Sequence, residues 1–404
     1  MQFGALEGIK VLDLSRVLAG PWAGQVLGDL GADVVKIERA GVGDDTRAWG
    51  PPWLDDHGDA ATQDSAYFLC ANRNKRSVAV DFASEEGCLL VRRLAAQADV
   101  VIENFKAGGL RQYGLDHESL NAINPRLIYC SVTGFGQTGP YAERAGYDFL
   151  IQGMGGLMSL TGRADGEAGA GPVKVGVALV DVMTGLYAAV AVLAAVNERH
   201  RSGEGQHIDL SLLDVQVACL ANQASNFLVS GKAPVRMGNA HPNIVPYQEF
   251  QTADGFMILA IGNDGQFAKF CQDAGHPEWS ADERFRSNPS RVANRTQLIP
   301  LIESVALLRT TAEWVESLER VGVPCGPVNT IAQVFEDPQV RARGLRVDLP
   351  RTRGRSAPGV ASPIRLSRTP VQYKRPPPQL GEHGAEVLHD WLGERSDGVQ
   401  GAGQ

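Results

Sequence analysis

Ile9-Lys10-Val11-Leu12-Asp13-Leu14 and Asp33-Val34-Val35-Lys36-Ile37-Glu38 decide the fold of this chain. Both are short and mostly apolar, the pattern of strands covered on two faces. Between them Gly20, Pro21 and Gly24 mark a turn, and residues 22–30 read as a helix. Strand, crossover helix and second strand together build a parallel sheet. The pattern recurs in Ser77-Val78-Ala79-Val80-Asp81, a helix over 85–97, and Val100-Val101-Ile102-Glu103. It continues in Leu127-Ile128-Tyr129-Cys130-Ser131-Val132 and Gln206-His207-Ile208-Asp209-Leu210-Ser211. The predicted fold class is α/β, with a large Rossmann-like domain.

The character changes after an Ala- and Leu-rich helix over 182–199. Next come a helix near 215–229 and a loop over 230–248 with Gly231, Pro234, Gly238 and Pro242. A strand at Phe256-Met257-Ile258-Leu259-Ala260-Ile261 and helices over 266–274 and 311–321 complete a smaller α+β domain. The expected boundaries are 1–200 for the large domain, 201–225 for a linker and 226–330 for the small domain. Residues 331–404 are expected to form a second linker and a tail that runs back over the large domain, with 396–404 frayed. A chain of 404 residues is too long for one ordinary core, so more than one domain fits its length.

Apolar content of 44% and charged content of 21% are ordinary for a soluble globular protein. A net charge of −8 argues against a nucleic-acid surface, which needs dense Lys and Arg on one face. The six cysteines, Cys70, Cys88, Cys130, Cys219, Cys271 and Cys325, are scattered without C-x-x-C spacing. That usage fits a reduced, cytoplasmic chain with no metal site better than a disulfide framework. The first ten residues carry Glu7 and lack a long apolar core, so they do not read as a signal peptide. Residues 175–196 have nearly the length of a membrane span, but they contain Asp181, Gly176 and Gly185 and read as a buried helix.

Val177-Ala178-Leu179-Val180-Asp181-Val182-Met183 sets a single carboxylate in an apolar run. A charge there is costly unless it is paired, hydrogen-bonded or used. With a helix beginning at 182, Asp181 falls at its start, where free backbone N–H groups stabilise a carboxylate. Two readings stay open on these residues: a structural N-cap, and a catalytic carboxylate in a water-poor pocket. The turn over 15–24, with Glu38 at the end of the second strand, imitates a dinucleotide site. Yet G-x-G-x-x-G is missing, and Gly20-Pro21-Trp22 puts bulk where a pyrophosphate needs close backbone approach. Arg16 and Arg39 suit phosphates, so the region reads as a nucleotide-shaped pocket that does not hold NAD; a solvated strand end fits these residues equally.

A set of motifs in order along the chain resembles the class III CoA-transferases. They include Leu6-Glu7-Gly8-Ile9-Lys10-Val11-Leu12-Asp13, Gly20-Pro21, Gly31-Ala32-Asp33 through Arg39, and Gly43-Asp44-Asp45-Thr46-Arg47. Further matches are Asn74-Lys75-Arg76-Ser77, Glu103-Asn104-Phe105, Gly134-Phe135-Gly136-Gln137-Thr138-Gly139-Pro140 and Gly146-Tyr147-Asp148. The Asp181 segment, Pro324-Cys325-Gly326-Pro327-Val328 and Leu380-Gly381-Glu382-His383 complete the set. The resemblance implies the two-domain α/β architecture and an interlocked homodimer. It also implies CoA transfer from an acyl-CoA to a free carboxylic acid, with the CoA thioester as cosubstrate and no permanently bound cofactor. Nucleic acid and membrane are not expected partners.

By the same resemblance Asp181 is the nucleophile, and Tyr147 with Asp148 is an active-site pair. Gly262 and Gly265, in Gly262-Asn263-Asp264-Gly265-Gln266, stand for the family's mobile Gly-rich lid; a plain strand-to-helix turn is the other reading. Arg16, Val17, Leu18, Ala19, Arg39, Val80, Asn104, Phe105 and Lys106 are implied to contact CoA. Ala83, Gln112 and Ala145 stand where the formyl-CoA transferases carry cations, and Lys106, Arg111 or the adjacent Arg144 would have to compensate. Tyr147 stands where the related racemases carry a histidine base, and a group with an ordinary pKa of about 10 replaces it poorly. Transfer is therefore favoured over racemisation, and a non-catalytic CoA-binding protein is the remaining alternative. The run from Gly238 to Tyr247 resembles the branch that transfers CoA from succinyl-CoA to dicarboxylic acids. A distal carboxylate needs a cation or several donors, and Arg47, Arg73, Arg144 and His241 are the candidates, Arg47 first because it lies in a matched motif.

Overall fold

The computed structural model describes residues 3–54, 64–352 and 354–394. The 396–404 stretch expected to fray lies outside the described residues, as do residues 1 and 2 of the N-terminal stretch. The chain divides into two compact units: the first takes residues up to 157, 175–225 and 338 onward, and the second takes 158–174 and 226–337.

In the first unit, six strands form one parallel sheet: β1 (Lys10–Asp13), β2 (Asp33–Glu38), β3 (Lys75–Ala79), β4 (Val100–Glu103), β5 (Ile128–Thr133) and β6 (His207–Ser211). Their order is β3-β2-β1-β4-β5-β6. Helices α1 (Ala19–Asp29), α2 (Ala66–Cys70), α3 (Glu85–Gln97), α4 (His117–Ile123), α5 (Asp148–Met154) and α6 (Leu179–Ser202) lie between strands in sequence, and α7 (Leu212–Ala218) and α8 (Ala221–Ser230) follow β6. The α/β expectation holds. The strand order reverses between β1 and β4, and a crevice opens beside such a reversal at the carboxyl ends of the strands.

The period of two along each strand sorts the core. Val11, Val34, Val100 and Ile128 pack with Ala23 and Leu27 of α1 and Ala188 and Val192 of α6. Their neighbours Leu12, Val35, Val101 and Tyr129 point the other way, onto Val91 and Leu94 of α3 and onto Val387 and Trp391 of the helix Gly384–Leu392. Gly185 lets α6 approach α1, since a Cβ there would lie 2.7 Å from the Ala19 carbonyl oxygen and 2.9 Å from Trp22 Cβ. By length and apolarity α6 could cross a membrane. It is buried along one stripe, with Thr184, Ala188 and Val192 inside, while Tyr187 and Val190 on the opposite face are exposed.

Several elements start away from their predicted places. β3 begins at Lys75 because its two leading cations are neutralised, Lys75 by Asp13 and Arg76 by Asp33. Helix α1 begins at Ala19, with Pro21 tolerated in its first turn. The single helix expected near 215–229 is two, broken where Ala221 takes a left-handed φ of 45°. Residues 201–225, expected as a linker, lie in the first unit because β6 pairs with β5 from Tyr129↔His207 to Thr133↔Ser211. Residues 158–174, expected in the large domain, lie in the second unit, where Asp165 pairs with Arg236.

From residue 338 the chain packs within the first unit. Asn74 receives the backbone N–H of Lys374, Arg76 reaches Glu386 and Asp390, and Trp391 donates its indole N–H to Asp33. The second unit carries the antiparallel sheet of β7 (Tyr247–Gln251), β8 (Phe256–Ala260) and β9 (Cys325–Pro327). Its core of Phe250, Met257, Phe267, Phe270 and Trp314 gathers those strands, α9 (Asp264–Asp273) and the helix Thr311–Val321.

Candidate active site

A cleft of about 680 Å³ opens within the first unit at the carboxyl ends of the parallel strands. The segment after β1 supplies Arg16, Val17, Leu18 and Ala19; Arg39 follows β2, Val80 follows β3, and Asn104, Phe105 and Lys106 follow β4. All the positions that the resemblance assigns to CoA therefore line one cavity, and Tyr147 and Asp181 line it with them. The loop carrying Tyr147 is brought to the end of β5 by two glycines in contact: a Cβ on Gly134 would lie 2.6 Å from Gly146 Cα.

Asp181 is the third residue of α6, inside the first turn rather than before it. The cap is Asp148: its Oδ2 accepts the backbone N–H groups of Val180, at 2.8 Å, and Asp181, at 3.3 Å. Its Oδ1 accepts from Gln152 Nε2 at 2.6 Å, and Gln152 Oε1 in turn accepts the N–H of Val175 at 2.9 Å. Asp148 thus holds the start of α6 with Oδ2, while Oδ1 ties it to Gln152 in its own helix α5. The Asp181 side chain is free of that duty, so the N-cap reading of Asp181 is corrected. Burial first, and the charge of Asp148 second, together push the Asp181 carboxyl up to about 7.

The loop between β1 and α1 is held through the backbone of Ser15, Arg16 and Val17. Ser15 donates its N–H to Asp13 Oδ1 at 2.9 Å, and its carbonyl accepts from Lys36 Nζ at 2.7 Å. Asn104 bridges Arg16, accepting its N–H at 2.8 Å and donating to its carbonyl at 2.6 Å. Asp44 Oδ1 accepts the N–H of Val17 at 3.3 Å, while Asp44 Oδ2 faces Lys36 Nζ at 2.9 Å. That buried lysine holds the Asp44 carboxyl down at about 2 against the opposing effect of burial.

Exposed cations stand along the cleft. Arg16 pairs with Asp45 at 3.1 Å and lies over the Phe105 ring. Among the described residues neither Arg39 nor Lys106 is engaged by an acid, and both line the cavity. Ala83, Gln112 and Ala145 line it too. Arg111 does not; it pairs with Glu118 on the surface. Phe82 and Tyr113, absent from the sequence reading, add an aromatic wall, with Phe82 edge-on to Phe105 at 5.8 Å and to Tyr113 at 5.6 Å.

The four candidate carboxylate-binding residues separate, and Arg73 is excluded as buried, its guanidinium held by Asp29 at 2.6 Å. Arg47 is buried, gripped by both Glu38 oxygens at 2.8 Å, bonded to the Pro378 carbonyl and stacked on Phe68. It has no free face for a substrate, which corrects its assignment. The same pairing settles the dinucleotide question, because Glu38 also accepts from Ser77 Oγ and the N–H of Asp44 and has no oxygen left for a ribose. His241 belongs to the second unit, where its Nδ1 accepts the N–H of Asn243 and shapes a turn. Arg144 alone of the four lines the cleft, exposed beside the Tyr141 and Phe135 rings. Gly262 and Gly265 lie in the second unit at the start of α9, where Asn263 caps the N–H of Gln266 and Gln266 Oε1 accepts the N–H of Gly262.

Comparison with known proteins gives concordant similarities. A family model described as CoA-transferase family III matches residues 6–384. The chain is 55% identical over 383 residues to a succinate–glutarate CoA-transferase of Agrobacterium fabrum, covering 95% of this chain and 94% of that one. It is 43% identical to a human succinyl-CoA:glutarate CoA-transferase, covering 96% of this chain and 86% of the relative. A solved structure of a CAIB/BAIF family protein from Brucella suis superposes with a TM-score of 0.85 at 54% identity, covering 96% of this chain and 100% of that one.

Proposed function

Because the chain belongs to CoA-transferase family III, we propose that it moves CoA from succinyl-CoA to glutarate or a closely similar dicarboxylic acid, with Asp181 as the nucleophile. The observation that carries this reading is a single one: a carboxylate held near pKa 7 shares a cleft with every position assigned to CoA. The substrates named for the two relatives at 55% and 43% identity support the choice of acids.

In this mechanism ionised Asp181 attacks the thioester carbonyl carbon. The C–S bond breaks, CoA thiolate leaves, and an aspartyl–acyl anhydride forms. The thiolate then attacks the aspartyl carbonyl, releasing the donor acid as its carboxylate and leaving CoA on Asp181 as a thioester. The acceptor carboxylate displaces the thiolate to form a second anhydride, and the thiolate takes the new acyl group, restoring Asp181. No proton is gained or lost in the cycle, so Asp181 must enter it ionised. A pKa near 7 leaves about half the population competent at neutral pH while keeping the carboxylate poorly solvated and reactive. Asp148 positions the first turn of α6. Tyr147 lines the cleft with Asp181, and Gly262 and Gly265 are assigned the water-excluding loop that the family resemblance implies. Arg144 is assigned the distal carboxylate of the acceptor. The reading extends to an interlocked homodimer in the cytoplasm; exposed Tyr187 and Val190 on α6, at 44% and 63% exposure, support an apolar partner surface.

Mass analysis of mixtures of succinyl-CoA with mono- and dicarboxylic acids tests the proposal. Glutaryl-CoA should appear as succinyl-CoA disappears. Asp181→Asn should abolish transfer while binding CoA nearly as well, and it should carry no covalent adduct. Arg144→Met should raise the KM for glutarate about tenfold or more and leave that for a monocarboxylic acceptor, which has no distal carboxylate, unchanged. Full activity in Asp181→Asn refutes the mechanism, and CoA binding without transfer to any acid leaves the non-catalytic reading.

A further inference from the structure

We infer that Asn104 and Asp44 are positioning residues that hold the peptide groups of Arg16 and Val17 as a preset wall of the cleft, Asn104 acting through Arg16 rather than on the cosubstrate. The inference rests on the CoA-binding reading of the cleft and departs from the contact role implied for Asn104.

Val17 takes a φ of 71°. The left-handed region is unfavourable for any L-residue with a Cβ and more so for a β-branched one, so a conformation of this kind persists only when its surroundings over-determine it. The surroundings here come from two different strand ends. Asn104, just beyond β4, spends its carbonyl on the N–H of Arg16 and its amide on the carbonyl of Arg16. Asp44, in the turn after β2, takes the N–H of Val17. Asp44 is itself immobile: its Oδ1 also accepts the N–H and Oγ1 of Thr46 at 2.9 and 2.7 Å, and its Oδ2 faces fully buried Lys36. The two clamps fix the peptide groups on either side of Arg16, and the second of these leads into Val17. They leave the Asn104 side chain facing the loop with both ends of its amide engaged.

A preset wall lowers the ordering cost of binding. Without the Asn104 clamp, Asp44 alone holds the peptide that leads into Val17, and the ligand must bear more of the cost of the left-handed conformation. A glycine at 17 takes that conformation without penalty. The role therefore predicts an interaction between two sites that a direct contact would not show.

The test uses the full-length protein, with free CoA as the titrant in calorimetry and amide hydrogen exchange of residues 15–18 in the absence of CoA. Asn104→Ala in the wild-type background should weaken CoA binding roughly tenfold and speed exchange across 15–18. The same substitution in a Val17→Gly background should weaken binding less than about threefold relative to Val17→Gly alone. Equal losses in the two backgrounds would make Asn104 a direct contact and overturn the proposal, as would unchanged exchange. A general loss of stability lowers Tm in both backgrounds alike and produces no such difference. A wild-type chain that bound CoA but transferred it to no acid would refute the transferase mechanism and leave this result standing. A wild-type chain that bound no CoA would refute the cleft reading and this role together.

Discussion

Asp181 is a carboxyl whose folded state favours the proton. Burial first, and Asp148 second, raise it from an ordinary 3.8 to about 7. Its transfer activity should therefore climb as pH rises through about 7 and level off above. Asp148→Asn removes the second cause, so the rising limb of kcat should move to lower pH while staying above the ordinary carboxylate range; a pH–rate profile of the variant checks the direction. The same shift has a stability consequence of opposite sign. Between about pH 4 and 7 the folded chain binds this proton more tightly than the unfolded chain, so stability falls as pH rises through that window. Asp181→Asn should then raise Tm at pH 8 and leave it unchanged at pH 4, measured by scanning calorimetry. The odd carboxylate was visible in the sequence because an acid in an apolar run needs a reason. Its capping partner was not, because the cap comes from a residue 33 positions away and capping rules read only local spacing. Arg47 misled for a related cause: a motif shows proximity in sequence, whereas its pairing with Glu38 depends on how β2 and the turn after it fold back.

At the level of elements, apolar runs and Gly- or Pro-rich breaks were enough for the parallel strands, since the sheet is covered on both faces and each strand must be apolar on both. Element starts were less legible wherever a distant side chain sets them, as Asp13 does for β3 and Asp148 does for α6. The helix Arg295–Ala306 escaped the sequence reading; it carries Pro300 within it, a residue that argues against a helix interior. The packing of α1 on α6 was equally hidden, because Gly185 reads in sequence only as a weak point of a helix. In the structure it is the place where the two helices touch. Gly185→Ala should push α1 away at its first turn, which carries Ala19 of the cleft wall. A loss of about 1–3 kcal/mol in urea unfolding, together with weaker CoA binding, is the expected outcome. Alanine tolerated with unchanged binding would mean that the contact is not tight.

The whole molecule is two compact units, and the chain enters the second twice, at 158–174 and at 226–337. A single continuous boundary drawn on the sequence could not represent that excursion. The first unit in turn depends on the far end of the chain. Trp391 is buried against the sheet face formed by Leu12, Val35 and Val101, and it donates to Asp33. Trp391→Ala should cost about 3–5 kcal/mol of unfolding free energy, read in denaturant titration, through the cavity and the orphaned acceptor. A cost under about 1 kcal/mol would show that the C-terminal helix is an accessory to this core rather than part of it.

The pairing of Arg76 with Glu386 spans 310 residues. During synthesis at about 5–20 residues per second, β3 would leave the ribosome roughly 15–60 s before the helix that neutralises and covers it. For that interval the part of the sheet face that Val387 and Trp391 cover stays open, and Arg76 has Asp33 alone as its acidic partner. β1, β2 and β3 all wait for that same late helix, through Lys10 and Asp33 with Trp391 and Arg76 with Glu386, and this sheet face is where a holding chaperone would have most to act.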